Sequence, residues 1–366
     1  MKYFFSSESV TAGHPDKICD QISDAILDEA LRQDVNSKMA VECTIKDNFI
    51  LIYGEANTTA NIPYENIAKE VVRSIGYVGD FEVCLKVSKQ SSEISNAVEN
   101  NEELGAGDQG IIFGYACNET ESLLPLSIDL AHKLAKRLEV VFKNDIRTPL
   151  RPDGKTQVTV EYENGIIKRV DTVVVSSQHV ENIAQDKLRD YIKSNVIDAV
   201  IKKELVDENT KYIINPSGSF IVGGPFGDSG TTGRKIVVDT YGGHGRIGGG
   251  CFSSKDASKV DRSAAYYCRY VAKNVVAYKL ADRCEIQVSY AIGMSEPLSI
   301  FIETFNTNHF DMEKIYEFVI NNFDFKVSNI IEELDLRQPI YRQTATYGHF
   351  GRTDIELPWE KIKEIN

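Results

Sequence analysis

Apolar residues recur every three or four positions in four long segments of the chain. In the first segment Ile18, Ile22, Ile26 and Ala30 have this spacing, so they share one face of a helix. Pro15 stands at the start of this run and suits the first turn of a helix, where its missing N–H costs little. The same pattern predicts four helices in all, over residues 15–32, 123–142, 180–205 and 256–280.

Shorter apolar segments bounded by turn residues predict strands. Residues 39–45 and 49–55 flank a short turn, and residues 157–162 and 166–175 flank Asn164-Gly165, which is a strong hairpin signal. Further strands are predicted over residues 212–214, 235–241, 285–291 and 299–304. Hairpins mixed with amphipathic helices predict an α+β fold, in which helices pack on largely antiparallel sheets.

A short motif repeats along the chain. The segment Gly107-Asp108-Gln109-Gly110 recurs as Gly227-Asp228-Ser229-Gly230, about a third of the chain later. The order of predicted elements around the motif repeats as well. We therefore predict three similar domains, over residues 1–98, 103–221 and 222–366.

Two segments fall outside this patterning. Residues 91–104 are polar and acidic, which is typical of a mobile loop or a linker. Residues 242–250 contain six glycines in nine positions, so the backbone there can approach a ligand closely. Both segments therefore lie outside the predicted core, and the second is a candidate for part of a binding site.

The overall charge and the cysteines narrow the class of protein. The 366 residues carry a net charge of −13, which disfavours nucleic-acid binding because phosphate backbones are bound by basic surfaces. No apolar run approaches the roughly 18 residues of a membrane span, and residues 1–10 lack the apolar stretch of a secretory signal. Seven scattered cysteines form no CxxC pair, so we expect reduced thiols in a cytoplasmic protein, without zinc or disulfides.

The segment Gly13-His14-Pro15-Asp16-Lys17 lies where a strand-like start becomes a helix. A helix N-terminus offers free N–H groups and a partial positive charge, which suit a phosphate group. His14 can donate to an anionic oxygen there, and Asp16 can hold Mg²⁺. The alternative is an ordinary helix cap, which has a similar sequence.

A basic cluster breaks the acidic character of the chain. Six basic residues between 234 and 262 outnumber three acidic ones, and they surround the glycine-rich segment. Lys255 and Lys259 lie four positions apart, so we expect them on one face of a helical turn, where they can clamp a polyphosphate with Asp261 near a metal ion. A solvated helix face beside a flexible loop remains the alternative. The six residues are Arg234, Lys235, Arg246, Lys255, Lys259 and Arg262.

Several common catalytic motifs are missing. Two GxGxxG matches, at 105–110 and 243–248, lack the strand-to-helix context of a dinucleotide site. The sequence contains no P-loop, HExxH or GxSxG motif, and a lone histidine such as His132 fits a structural role. A reaction whose nucleophile belongs to the substrate would need none of these motifs.

Several longer segments carry a family resemblance. They are GHPDK at 13–17, GAGDQG at 105–110, GGPFGDSGTTGRKIVVDTYGG at 223–243, SKVDRSAAYYCRYVAKN at 258–274, QVSYAIG at 287–293 and YGHFGR at 347–352. In these segments the chain resembles the S-adenosylmethionine synthetases (methionine adenosyltransferases) of bacteria and eukaryotes. The resemblance implies three similar α+β domains in a pseudo-threefold arrangement. It also implies attack of the methionine sulfur on C5′ of ATP, with loss of triphosphate that is then hydrolysed to diphosphate and phosphate.

The resemblance also implies roles for single residues. The residues implied to act in catalysis are His14, Lys155, Arg234 and Lys255. The residues implied to bind ATP are His14, Asp153, Lys155, Ser219, Phe220, Asp228, Arg234, Lys235, Cys251, Lys255 and Ile292. The residues implied to bind methionine are Glu55, Gln90, Asp108, Asp228 and Lys259.

Metal ions and further copies of the chain follow from the same resemblance. It implies two Mg²⁺ ions per site, at Asp16 and Asp261, and one K⁺ per subunit, at Glu42. It also implies a dimer with shared active sites that pairs into a homotetramer, with no nucleic-acid or membrane partner. The chemistry is consistent with the missing motifs, because a thioether sulfur has no proton to remove and the main demands are alignment and leaving-group charge.

Two other functions compete with the synthetase. A polyphosphate hydrolase that no longer uses methionine would not need Glu55, Gln90 or Lys259, yet all three are present. A non-catalytic subunit would not need a complete set of residues for binding polyphosphate and metal ions, yet that set is present as well. It comprises His14, Asp16, Lys155, Lys255, Lys259 and Asp261. The sequence departs from relatives in the implied gating loop, residues 90 to about 103, which is acidic and begins with Ser91-Ser92-Glu93 after Gln90. Cys251 is also a departure, because relatives usually have alanine there.

Overall fold

A computed structural model describes residues 1–89 and 104–365. In these ranges the first and second thirds of the chain share one order of elements, and the last third differs by an additional helical turn and by a final helix in place of a strand. The first third contains β1 (Lys2–Val10), α1 (Pro15–Gln33), β2 (Lys38–Lys46), β3 (Phe49–Asn57), α2 (Tyr64–Ile75) and β4 (Glu82–Ser88). The second third contains β5 (Gly110–Cys117), α3 (Leu126–Asn144), β6 (Leu150–Glu163), β7 (Ile166–His179), α4 (Gln185–Ile192) and β8 (Lys211–Ile214). The last third contains β9 (Gly230–Thr231), α5 (Ile236–Asp239), α6 (Val260–Ala277), β10 (Arg283–Tyr290), β11 (Ser299–Glu303), α7 (Met312–Asn322) and α8 (Val327–Glu333).

The first strand of each third joins the sheet of another third. β1 pairs antiparallel with β6, which gives a sheet of order β1-β6-β7-β8. β5 pairs with β10 in the order β11-β10-β5, and β9 pairs with β2 in the order β4-β3-β2-β9. This cyclic exchange links three similar α+β units, so the predicted fold class and pseudo-threefold arrangement are confirmed.

Each long helix covers one strand of its own unit and the strand that enters from another unit. α1 packs on β2 and β9, α3 packs on β6 and β1, and α6 packs on β10 and β5. One buried core surrounds α3, β6 and β7, and a larger one joins α1 and α6 with the other two sheets. As a result, the N-terminus of α1 lies beside the segment 230–239, which comes from a distant part of the sequence.

The predicted hairpins and antiparallel pairing are present in the described residues. β6 and β7 are joined at Asn164 and Gly165, whose φ angles of 53° and 81° are left-handed, as a tight hairpin turn of this type requires. Parallel pairing occurs only between β3 and β4 and between β7 and β8 among the strands of residues 1–89 and 104–365. Every helix in those two ranges is too short or too polar to span a bilayer.

Two predicted elements differ from the structure. The strand predicted over residues 235–241 is wrong, because Ile236–Asp239 form a single helical turn. Its β-branched residues favour a strand, but strand propensity depends on context, and here Asp239 is bound by Lys17 of α1. The helix predicted over residues 180–205 begins only at Gln185 and continues through a π-helical turn to Val200.

Candidate active site

The loop between β1 and α1 presents the helix N-terminus described in the sequence. Gly13 is essential to this loop, because a Cβ atom there would lie 2.4 Å from the carbonyl oxygen of Pro152. His14 is buried and caps the helix: its Nδ1 accepts the backbone N–H of Asp16 at 3.2 Å. Because Nδ1 is an acceptor, the proton of a neutral ring lies on Nε2, which is left as a donor.

Asp16 is the centre of a charged cluster at this helix end. Its Oδ1 accepts the backbone N–H of Thr231 at 3.0 Å, and its Oδ2 pairs with the ammonium group of Lys235. The guanidinium of Arg234 lies 3.5 Å from Oδ1. Burial opposes ionisation of Asp16, but the Lys235 and Thr231 hydrogen bonds lower its pKa. Arg234 and Lys235 are therefore both close to the N-terminus of α1.

Burial and the nearby ammonium of Lys235 lower the pKa of His14 to about 3. The ring is therefore neutral at neutral pH, where it can donate one hydrogen bond without adding a charge. The charges of Lys155 and Asp228 also act on the pKa of His14, in opposite directions. We refer to His14, Asp16, Lys155, Asp228, Arg234 and Lys235, together with Asp153, as the α1 cluster.

Asp153 on β6 anchors the edge of the α1 cluster. Its Oδ2 accepts the backbone N–H of Gly224 at 2.7 Å, and burial raises its pKa to about 6. Phe220 follows β8 and exchanges backbone and ring hydrogen bonds with His179 at the end of β7. Ser219 is exposed beside it. Two of the residues implied to contact the nucleoside, Asp153 and Phe220, thus lie in or beside the α1 cluster, near the ends of β6 and β7.

A second charged cluster lies at the N-terminus of α6. Lys255 pairs with Asp261 at 2.6 Å, and Gly250 packs so closely against the Asp261 carboxylate that a Cβ atom would overlap it. Burial raises the pKa of the Cys251 thiol, and Lys255, Asp261 and Glu42 all act on that thiol electrostatically. We refer to Glu42, Cys251, Lys255 and Asp261 as the α6 cluster.

The two lysines of this region do not share a helix face as predicted. α6 begins at Val260, so Lys255 lies in the preceding turn and Lys259 is the N-cap residue. Lys255 pairs with Asp261, whereas Lys259 pairs with Asp256. Each lysine is therefore held by its own carboxylate, because a turn, rather than a helix, occupies residues 255–259.

The remaining implied methionine and nucleoside contacts lie around the α6 cluster. Glu55 on β3 is exposed and pairs across to Ala40, which in turn forms a backbone bridge to Lys255. Asp108 precedes β5, and its neighbour Gly107 donates to the carbonyl of Ser258 at 3.2 Å. Ile292 is exposed. Gln90 and the implied gating loop lie outside the described residues.

The repeated GDxG motif has the same local structure in both places. The Asp108 carboxylate accepts the N–H of Gln109, and the Asp228 carboxylate accepts the N–H of Ser229, both at 2.8 Å. Each motif leads directly into the strand that joins another unit, β5 or β9. The repeat seen in the sequence is therefore a repeat of structure.

Within the part of the chain that the structure describes, the two carboxylates implied to bind Mg²⁺ do not belong to a larger group of metal ligands. Residues 1–89 and 104–365 contain no group of three or more His, Cys, Asp or Glu side chains placed to hold one ion. Asp16 and Asp261 belong to different clusters, and each is a single carboxylate beside lysine. A single carboxylate suits a Mg²⁺ ion that arrives with a phosphate substrate and takes most of its ligands from phosphate and water. Asp16 and Asp261 are therefore compatible with such an ion, but not with a site built from protein ligands alone.

Sequence reasoning missed a stripe of four buried aspartates on α1. They recur every fourth residue, so they lie along one face of the helix, and a row of acids within an apolar helix was a visible signal. Each accepts backbone N–H groups from the last third of the chain: those of Thr231, Gly233, Ser254 and, for the last aspartate, Tyr341 and Arg342. We call Asp16, Asp20, Asp24 and Asp28 the aspartate stripe.

Three family profiles match the chain in sequence order. The profile described as S-adenosylmethionine synthetase, N-terminal domain, matches residues 2–102. The central-domain profile of the same description matches residues 103–220, and the C-terminal-domain profile matches residues 222–361. Together the three matches cover nearly the whole chain.

Proposed function

The chain belongs to the S-adenosylmethionine synthetase family, and from that premise we propose which of its residues perform the reaction. Membership indicates an ATP-dependent transferase that makes S-adenosylmethionine from ATP and methionine. We propose that the methionine sulfur attacks C5′ of ATP in line and expels triphosphate, which the same site then hydrolyses to diphosphate and phosphate. The observation that carries this proposal is the grouping of His14, Arg234 and Lys235 at the N-terminus of α1.

The α1 cluster supports a role in binding the leaving group. A triphosphate gains negative charge as the C5′–O bond breaks, so preorganised donors and cations aimed at it lower the barrier. The helix N-terminus, the Nε2–H of His14 and the cations Arg234, Lys235 and Lys155 are such groups. Asp153, Ser219 and Phe220 at the adjoining strand ends are proposed to contact the nucleoside.

The α6 cluster is proposed to complete the site. Lys255 is assigned to the polyphosphate, and Cys251 and Ile292 to ATP. Glu55, Asp108, Asp228 and Lys259 are assigned to methionine, as is Gln90 outside the described residues. The exposure of Glu55, Asp108 and Ile292 supports this assignment, because these side chains are free to meet a ligand or a second chain.

Family members need metal ions, and two kinds are proposed here. Asp16 and Asp261 are proposed to hold one Mg²⁺ each, and Glu42, which accepts the hydroxyl of Tyr53 at 3.2 Å, is proposed to hold K⁺. When bound to the polyphosphate, such ions neutralise charge on the leaving group. Lys235 and Lys255, which pair with these carboxylates, would then be released to contact phosphate oxygens.

We further propose a homo-oligomer, built as a tetramer of two dimers, whose active sites combine the α1 cluster of one copy with the α6 cluster of another. Exposed apolar side chains on the outer sheet faces support this, because water-exposed sheets rarely carry them without a partner. They are Phe49, Ile111 and Phe301. The proposed location is the cytoplasm, which is consistent with seven unpaired cysteines.

A product assay tests the reaction. Purified protein with ATP, methionine, Mg²⁺ and K⁺ should form S-adenosylmethionine, detected by mass spectrometry, together with phosphate and diphosphate. Omission of methionine should abolish the sulfonium product. Phosphate release without that product would instead favour the polyphosphate hydrolase, and the proposed function would fail.

Mixed dimers test the shared site. His14→Ala and Asp261→Asn should each inactivate the protein, since each removes one cluster. A purified dimer of one copy of each should regain about half of the wild-type activity, because one of its two sites then contains neither change. An inactive mixed dimer would show that both clusters act within one chain.

A further inference from the structure

Lys17 has no role in the site as described, yet it is one of the few fully buried lysines of the chain. Its Nζ atom lies 2.8 Å from Asp20 and 2.5 Å from Asp239. Asp20 is one turn further along α1, whereas Asp239 is the last residue of α5. The lysine therefore connects two elements that are 222 residues apart in the sequence.

The two carboxylates that Lys17 joins lie on either side of the α1 cluster cations. Asp20 accepts the backbone N–H of Gly233 at 2.8 Å, directly before Arg234. The backbone N–H of Asp239 donates to the carbonyl of Lys235 at 2.8 Å, directly after it. The segment that carries Arg234 and Lys235 is thus bonded to Asp20 at one end and ends in Asp239 at the other, and the carboxylates of both aspartates pair with the Lys17 ammonium group.

The ends of this segment have little freedom of their own. Gly233 has a φ of 81°, and a Cβ atom there would lie 2.6 Å from the sulfur of Cys251, so only glycine fits. Beyond the segment, the carbonyl of Asp239 accepts the N–H of His349. These contacts fix the path of the backbone, and the ion pairs of Lys17 fix its distance from α1.

The cation is needed because the two acids are buried together. Burial raises the pKa of Asp239 to about 7, and it also raises the pKa of Asp20. Without Lys17, the two carboxylates would repel each other or take up protons. Either outcome loosens α5 from α1. A pair of apolar side chains would join the two elements at less desolvation cost, so the ion cluster is better explained by the specific geometry that it imposes.

We propose that Lys17 is a positioning residue, which holds Asp20 and Asp239 together and so aims Arg234 and Lys235 at the polyphosphate subsite. Lys17 is too deeply buried to touch the substrate and acts only through these two cations. The proposal rests on the proposed function for the identity of the ligand. It extends that function by naming what sets the geometry of its cations.

The test compares Lys17→Met with Lys273→Met. Lys273 is also a largely buried lysine, paired with Glu360 at 2.7 Å in a part of α6 away from both clusters, so it controls for the loss of a buried ion pair. Each variant is measured for the dissociation constant of inorganic tripolyphosphate with Mg²⁺, for kcat and for the KM of methionine. Thermal unfolding reports how much folded protein is present.

Lys17→Met should weaken tripolyphosphate binding at least about tenfold and lower kcat about 10- to 100-fold, because a displacement of about 1 Å has effects of that size. The KM of methionine should stay within about threefold of wild type, since Glu55, Asp108 and Lys259, three of the four described methionine contacts, lie around the α6 cluster. Lys273→Met should lower the unfolding temperature while leaving tripolyphosphate binding within about threefold. Folded Lys17→Met protein with wild-type tripolyphosphate binding would overturn the proposal.

If Lys17→Met does not fold, the double variant Lys17→Met/Asp239→Asn replaces it. This variant removes one charge of each sign, so the net charge of the buried group is unchanged. Asp20 keeps the N–H of Gly233, yet the link between α1 and α5 is still broken. The same loss of tripolyphosphate affinity is expected, and normal affinity would again overturn the inference. A wild-type protein that binds tripolyphosphate but makes no S-adenosylmethionine would sink the proposed function instead, and the binding measurements would still decide the role of Lys17.

Discussion

At the N-terminal end of α1, Asp16 pairs with Lys235 and Arg234, whose side chains are 15% and 51% exposed. Two turns further along, Asp24 pairs with Arg262, and both side chains are at most 1% exposed. Asp24 also accepts Ser253 and Ser254, so both of its oxygens are fully occupied by protein groups. Arg262 in addition lies 4.2 Å above the ring of Tyr341, which closes it in.

The difference between these two pairs is one of access and not of chemistry. At Asp24 every partner is enclosed, so the pair can only hold the last third of the chain against α1. At Asp16 the cations reach water, so they can exchange the carboxylate for a phosphate group while the Thr231 N–H still holds Asp16. One helix therefore carries an enclosed ion pair and an accessible one on the same stripe, and the accessible one is the one that we propose to act on the substrate.

The largest effect on stability is expected at the enclosed Asp24–Arg262 pair. Arg262→Met should lower the free energy of unfolding by about 3–5 kcal/mol, because it leaves a buried carboxylate without its cation. Urea denaturation followed by circular dichroism measures this. Arg32→Met, which removes an exposed pair with Glu29 on the same helix, should cost less than about 1 kcal/mol. Similar losses of stability for the two variants would show that burial does not make the Asp24–Arg262 pair more important to the fold than an exposed pair.

A change at the open end should act on the reaction more than on the fold. Lys235→Met should lower kcat by about 10²- to 10³-fold, as the loss of a transition-state charge donor does. The free energy of unfolding should fall by only about 1–2 kcal/mol, because Arg234 and the Thr231 N–H remain. Steady-state kinetics and urea denaturation, measured on one preparation, separate the effect on kcat from the effect on stability. A stability loss as large as that of Arg262→Met would show that the Asp16 pair is structural too.

The smallest expected effect is a difference in the pH dependence of stability between Asp28 and Asp16, which lie at opposite ends of the aspartate stripe. Burial raises the pKa of Asp28 to about 6, although the N–H groups of Arg342 and Tyr341 partly oppose this. The folded protein then binds the proton more tightly than the unfolded one, so Asp28 makes stability fall as pH rises from about 4 to 6, by about 2–3 kcal/mol. The pKa of Asp16 is lowered, so the stability that Asp16 contributes is instead lost as the pH falls below the ordinary pKa of an aspartate.

The measurement is urea denaturation of the wild type and of Asp28→Asn between pH 4 and 7. The amide loses one N–H contact at every pH but carries no charge, so the deficit of the variant should shrink as pH rises. A deficit that is constant with pH would mean that Asp28 titrates alike in the folded and unfolded chains. Arg32→Met serves again as the control, with no expected trend.

Much of the fold could be predicted from periodicity. The helix at Pro15, the hairpin at Asn164-Gly165 and the long helix of the last third carry their own signals in neighbouring residues. The strand predicted over residues 235–241 is wrong because Asp239 is held by Lys17, more than two hundred residues away. The strands β4, β5 and β9 and the helices α2, α7 and α8 were not predicted, and most of these segments are short. α2 does carry an apolar stripe, at Ala68, Val71, Val72 and Ile75, which sequence reasoning overlooked. The domain boundaries at 98, 103, 221 and 222 stay predictions.

The candidate site residues were predicted from motifs, whereas their division into two groups could not be predicted. The segments GHPDK and GDSGTTGRK indicated phosphate chemistry, but nothing in them divides the residues into an α1 cluster and an α6 cluster. The aspartate stripe was visible as acids at every fourth position. Its partners were not, because each N–H group comes from a loop far along the chain.

The sequence by itself determined the residue types, their local helices and hairpins, and the family of the chain, because these depend on neighbouring residues and on motif identity. Only the tertiary structure decided that each first strand joins another unit, that Lys255 and Lys259 have separate partners, and that Lys17 fixes the segment of Arg234 and Lys235. The physical reason is that strand pairing and burial of charge are settled by which distant segments meet, and that information is spread over the whole chain.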